Sequence, residues 1–125
     1  AAAIMYTYHA AAVNGLYRSL LKPFFEEEIN DEMGHALYLS DKIKTLGGTP
    51  TTTPAKVEQL TDVQEMLEAT YKAEKATVER YEKRKEQAEE LGLTELAVKL
   101  EDFIADETHH KEEVERLLAD KSFFK

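Results

Sequence analysis

The 125-residue chain contains no cysteine. Disulfides and thiolate metal sites are therefore excluded. Any metal must be held by carboxylate and imidazole, donors that suit hard or borderline ions such as iron, manganese or zinc. Long apolar runs are also missing. No stretch approaches the ~20 residues that a membrane-spanning helix needs, so no membrane partner is expected. Positive charge is in deficit, with 16 Lys and Arg against 25 Asp and Glu and a net charge of −9. No nucleic-acid partner is expected from that balance, since phosphate is recognised by clustered bases. A surplus of acids favours cations and is equally an ordinary route to solubility. The opening stretch, AAAIMYTYHAAAV, has neither a basic leader nor a cleavage region, so no secretory signal is expected and a cytoplasmic location is. It also lacks an initiator Met and an N-cap, and reads as though the chain begins inside a helix.

What is present is helix. One domain spanning 1–125 is the simplest organisation for this length. Residues 1–14 place Met5, His9 and Val13, with Tyr6 and Ala10 beside them, on one helical face, and Asn14-Gly15 supplies a stop. A second helix begins between Arg18 and Pro23, because Pro is tolerated in a first turn, and runs to Leu46 before Gly47-Gly48. GGTPTTTPAK is the one real loop composition, holding two of the three prolines. Its Pro and β-branched Thr favour extended backbone, as in a strap along the surface. A third helix spans about 61–91, with Gly92 as its stop, and a fourth runs from an N-cap at Thr94 to about Ala119. The short aromatic tail KSFFK follows. The expected fold class is all-α, a four-helix bundle with a long crossover between helices two and three. Such a crossover lets those helices run parallel, as in the ferritin-like topology, although bundles of this kind host unrelated functions.

The chemistry lies on the inward stripes. Helix two spaces Phe25, Ile29, Ala36, Leu39, Ile43 and Leu46 by threes and fours, and Glu32 and His35 complete the series. Helix four repeats the pattern with Leu96, Leu100, Phe103, Glu107, His110, Val114 and Leu117. Helix three carries Leu67, Tyr71, Glu74, Val78 and Tyr81. A Glu three residues before a His arises readily by chance in so Glu-rich a chain, and Asp106-x-x-His109 offers a competing pair, but both of its members lie off the apolar series. Burying an unpaired carboxylate costs several kcal/mol. Three on inward faces therefore need a common compensation, either bound cations or His⁺–carboxylate pairs. Glu32, His35, Glu74, Glu107 and His110 are the candidate metal ligands on the pattern of di-metal carboxylate bundles. Tyr6 and Tyr71 read as packing residues, His9 as a core or pore-facing His, and FFEEEIND as a solvated or inner-surface acidic run.

These residues carry a resemblance. EINDEMGHALYLSDKIKTLGGTP is similar to the second helix and loop of bacterioferritins and bacterioferritin-like Dps relatives, and FIADETHH followed by EEVERLL to their fourth helix. EML at Glu65 leads to Glu74, and Glu74 to Glu107, at the family's intervals. The resemblance implies a di-iron site, two Fe per subunit with Mn or Zn as alternatives, in which Glu32 and Glu107 bridge or chelate, His35 and His110 each take one metal, and Glu74 completes the second. It implies ferroxidase activity with O2 or H2O2, an electron-donating role for Tyr6, and a homo-oligomer built from dimers into a 12- or 24-subunit shell that stores iron. The family's helix-one Glu falls one or two residues before Ala1, so helix one is expected to be truncated. The chain leaves no room after His110 for the fifth helix of bacterioferritins, which favours a smaller assembly. Met33 occupies the position of their haem-ligating Met, with haem shared between two subunits. The alternative is a peroxide-removing di-metal enzyme resembling rubrerythrin or manganese catalase, without mineral storage. Rubrerythrins place a further ligand Glu near the position of Thr77. A metal-free bundle with buried His–Glu pairs is the third reading.

Overall fold

The computed structural model describes residues 2–52 and 56–119, which form four α-helices: α1 (Ala2–Ala12), α2 (Arg18–Thr45), α3 (Val63–Glu90) and α4 (Thr94–Ala119). The chain is all-α, and no strand occurs among the described residues. The aromatic tail and Pro54 lie outside them. The helices group into two compact units, Ala1–Asp62 and Val63–Lys125. Each is a helical hairpin, α1 with α2 and α3 with α4, closed by a short connection that turns the second helix back on the first.

In the first hairpin, Tyr6, His9, Ala10 and Val13 are buried on the α1 side, and Leu21, Phe25, Glu28, Glu32 and His35 on α2. Phe25 is the anchor. Its ring stacks on Tyr6 at 6.4 Å and meets the edge of His9 at 5.2 Å. The Gly15 stop is present at φ +87. The end of α1 is closed by a side chain: the Arg18 guanidinium donates to the carbonyls of Ala10, Ala11 and Val13. Helix α2 starts at Arg18, so Pro23 lies in its second turn and not the first. The Pro takes away the N–H that would meet Ser19, whose position is exposed so that water reaches its carbonyl.

The buried stripe of α2 is shorter than its hydropathy pattern. Ala36 is exposed, as are Ile43 (40%) and Leu46 (55%). Within its own hairpin the described α1 has 11 residues against the 28 of α2.

The second hairpin follows its pattern in the middle, while Tyr71, Tyr81, Leu96 and Leu117 are half-buried. Met66, Leu67, Thr70, Glu74, Thr77, Val78 and Ala88 are buried on α3. Ala97, Leu100, Phe103, Glu107, His110 and Val114 are buried on α4. The turn between them is a Schellman motif in which Gly92 donates to Glu89 and Leu93 to Ala88, with Gly92 at φ +72. Thr94 is the first residue of α4 and not its cap, since Ala97 N–H already bonds Leu93 C=O.

Candidate metal centre

The α-helical period decides which carboxylates leave water. On α4, Glu107 and His110 sit between Phe103 and Val114 on an unbroken buried stripe, at 1% and 8% exposure. On α3, Glu74 occupies the same kind of position at 1%. The second hairpin thus brings three of the expected ligands together. His110 Nδ1 stands 4.0 Å from Glu74 Oε1, and a Glu107 oxygen lies within 4.8 Å of a His110 ring nitrogen. An imidazole with carboxylates from two helices beside it is a polarised donor group in a dry setting.

On α2, Glu32 and His35 are buried at 9% and 4%. Glu28, one turn earlier, is buried more deeply still, at 1%. The acidic run FFEEEIND is therefore not solvated throughout. Its period held the signal, because Glu28 follows Phe25 by three and precedes Glu32 by four. The pair Asp106 and His109 is exposed, in keeping with its place off the apolar series.

Tyr6 is fully buried and His9 with it. Burial alone lowers the His9 pKa to about 4, so its ring is neutral at neutral pH. Tyr71 is half-buried, and Met33 is 52% exposed, on the side of α2 away from Glu28, Glu32 and His35. Thr77 is buried. Its hydroxyl donates to Ala73 C=O and accepts from the Arg80 guanidinium at 2.8 Å, so a hydroxyl already engaged stands where the rubrerythrin pattern expects a carboxylate.

Apart from the hydroxyls of Tyr6, Thr70 and Thr77, the buried polar side chains among the described residues are carboxylates and imidazoles. Four carboxylates, Glu28 and Glu32 in one unit and Glu74 and Glu107 in the other, are buried, while no Lys or Arg among the described residues is. That donor set fits hard divalent cations.

The model of the ferritin-like domain family matches residues 1–122. The chain belongs to that family. A solved ferritin-like, diiron-carboxylate protein from Bacillus anthracis strain Ames is 66% identical, with a TM-score of 0.91 over 94% of this chain and 84% of the other. Two more distant structures share the fold. A Dps protein from Bacillus brevis is 21% identical, with a TM-score of 0.81, over 94% of this chain and 85% of its own. A dodecameric thioferritin, the bacterioferritin-related protein of Bacteroides fragilis, is 23% identical, with a TM-score of 0.86, over 99% and 82%. No curated protein matches the chain. The fold of this ferritin-like chain is all-α, as its hydropathy pattern predicts, and no helix among the described residues is long and apolar enough to cross a membrane.

Proposed function

We propose that the two hairpins make one ferritin-like domain and that Glu32, His35, Glu74, Glu107 and His110 hold a pair of iron ions within it. The chain is then a ferroxidase that oxidises Fe(II) to Fe(III) with O2 or H2O2 for iron storage and detoxification. The observation that carries this reading is the burial of carboxylates with no buried Lys or Arg among the described residues. Bound divalent cations would balance these carboxylates, and the 66% identical relative described as a diiron-carboxylate protein supports the same assignment.

Glu32 and Glu107 would be the shared carboxylates, His35 and His110 would each hold one metal through a ring nitrogen, and Glu74 would complete the second position. Carboxylates suit both oxidation states because they are hard donors that change readily between monodentate and bridging modes. Two ferrous ions, if bound there as substrate, would supply the two electrons that reduce O2 or H2O2. The surrounding Phe103 and Val114 keep water from the His110 side, and the neutral His9 adds no competing positive charge. Tyr6, buried against Phe25, is the proposed electron donor. Met33, on the outward side of α2, is the proposed haem ligand in a site shared with a second copy. Storage requires a closed homo-oligomer, for which a cytoplasmic shell of 12 or 24 subunits built from dimers is proposed. The dodecameric neighbour supports that assembly.

Metal analysis and Fe(II) oxidation kinetics test the reading. The reconstituted protein is expected to carry two Fe per chain and to oxidise Fe(II) rapidly. Glu107→Ala and His110→Ala are expected to slow oxidation by at least ~100-fold while keeping the helical circular dichroism, because even outer partners of metal ligands are worth 10- to 100-fold. Less than one Fe or Mn per chain sinks the assignment. Mass measurement separates storage from peroxide removal, since an isolated dimer encloses no mineral.

A further inference from the structure

The chain has two asparagines, Asn14 and Asn30, and the fold holds them differently. Asn30 lies inside α2, where the N–H of the following Asp31 belongs to the helical ladder. Asn14 lies between the end of α1 at Ala12 and the start of α2 at Arg18, and it is exposed. Gly15 follows it, also exposed, at φ +87 and with no atom within 4 Å of where a Cβ would sit. Among the described residues the Gly15 N–H donates to no carbonyl, and no hydrogen bond engages the Asn14 side-chain amide. We propose that Asn14-Gly15 is a site of self-modification, at which the Gly15 nitrogen attacks the Asn14 side chain and position 14 becomes an aspartyl or isoaspartyl residue.

The reaction needs only water. Hydroxide takes the Gly15 amide proton, and the nitrogen bonds to Asn14 Cγ. The Cγ–Nδ2 bond breaks and ammonia leaves with a proton from water, which restores the hydroxide and closes a cyclic succinimide. Water then opens the ring at Cγ, giving aspartate, or at the main-chain carbonyl carbon, giving isoaspartate with its backbone through Cβ. An amide and water become an acid and ammonia, so nothing is oxidised or reduced. Glycine presents no Cβ to hinder the attack, its nitrogen is outside any helical ladder, and exposure admits water at both steps. At Asn30 the first two conditions are missing. The product sets a carboxylate at the negative end of α1, next in sequence to Val13, whose carbonyl Arg18 holds together with those of Ala10 and Ala11. It offers that guanidinium a competing acceptor, so conversion loosens the last turn of α1.

Ageing the folded full chain at neutral and at mildly alkaline pH tests the proposal. Peptide mapping by mass spectrometry follows the mass gain of amide-to-acid exchange, and isoaspartyl methyltransferase with labelled S-adenosylmethionine detects the isoaspartyl form. Conversion is expected at position 14, faster at the higher pH, with Asn30 intact. Asn14→Gln keeps a side-chain amide but lengthens it, so the attack has to close a larger ring, and the methyl-acceptor signal is expected to be lost. An Asn14 that stays intact in the folded chain overturns the proposal, whether or not the urea-unfolded chain converts. Equal conversion of Asn30 in the folded chain overturns it as well, because the α1–α2 connection then selects nothing. Amide exchange in the last turn of α1 is expected to quicken in the aged protein, and unchanged exchange there overturns the link to α1.

Discussion

The two hairpins solve the same problem by different means. The α3–α4 hairpin is closed by backbone: Gly92 takes the left-handed conformation and two main-chain bonds seal the end of α3. Its buried stripe runs from Met66 to Val78 on one helix, with Ala88 buried further along, and from Ala97 to Val114 on the other. The α1–α2 hairpin is closed by a side chain, Arg18, and knit by an aromatic cluster around Phe25. Its stripe on α2 stops at His35. The difference teaches where a Glu-x-x-His motif draws its burial. Glu107 and His110 have buried apolar residues on both sides, whereas Glu32 and His35 have them on one. The first hairpin therefore depends more on a few large side chains, and the second on a regular pattern.

The largest test of that contrast is Phe25→Ala. Phe25 is fully buried between Tyr6 and His9, and truncating a core Phe costs about 3–5 kcal/mol. Leu37→Ala, on the same helix but 70% exposed, is expected to change stability by no more than ~0.5 kcal/mol. Denaturant unfolding of both variants checks the pair. A small loss for Phe25→Ala removes the aromatic anchor from the account of the first hairpin.

Next comes the buried His9. Its folded pKa of about 4 lies below the ordinary 6.5, and burial is the cause. Above 6.5 both folded and unfolded chains hold it neutral, so it contributes no pH dependence. As pH falls from 6.5 towards 4 the unfolded chain takes up a proton that the folded one refuses, and stability drops. His9→Gln is expected to flatten that fall relative to wild type in urea midpoints measured from pH 7 to 4.5. Parallel curves for the two proteins would mean that His9 is charged in the fold.

Much of this was legible in the sequence, and the exceptions have physical causes. Helix ends at Gly47 and Gly92 were readable because left-handed backbone selects glycine, and Glu107 and His110 were readable because buried apolar residues bracket them. Glu28 was masked by its neighbours: a run of three acids looks solvated, and only the three–four spacing from Phe25 and to Glu32 marks one of them as inward. Ile43 and Leu46 mislead in the opposite direction. They continue the apolar series of α2 but are exposed, because hydropathy records what a helix is able to bury and not what covers it. The closing of α1 by Arg18 had no local signature, since the bonds span five to eight residues.

The two turns give the smaller tests. Gly92 has φ +72, and no atom stands within 4 Å of where a Cβ would sit. Gly92→Ala therefore meets no clash, and its cost is that of the left-handed backbone alone, about 1–2 kcal/mol. A lowered melting temperature with unchanged circular dichroism is the expected result.

Arg18→Ala probes the other turn. The guanidinium satisfies carbonyls that the last turn of α1 leaves without helical partners, and it places positive charge at the negative end of the helix. Bonds from a charged donor are worth more than neutral ones, but Ala11 is exposed and water replaces part of what the side chain supplies. The expected loss is about 1 kcal/mol, read as a shift in the denaturant midpoint, and it falls short of the Gly92→Ala loss. Arg18→Lys keeps the charge and forfeits the planar fork, so it should recover less than the full loss. Full recovery would assign the effect to charge at the helix end, and no recovery would assign it to the bonds themselves. In either case amide exchange should quicken in the last turn of α1 in Arg18→Ala and leave the α3–α4 turn unchanged, because that turn is closed by its own backbone.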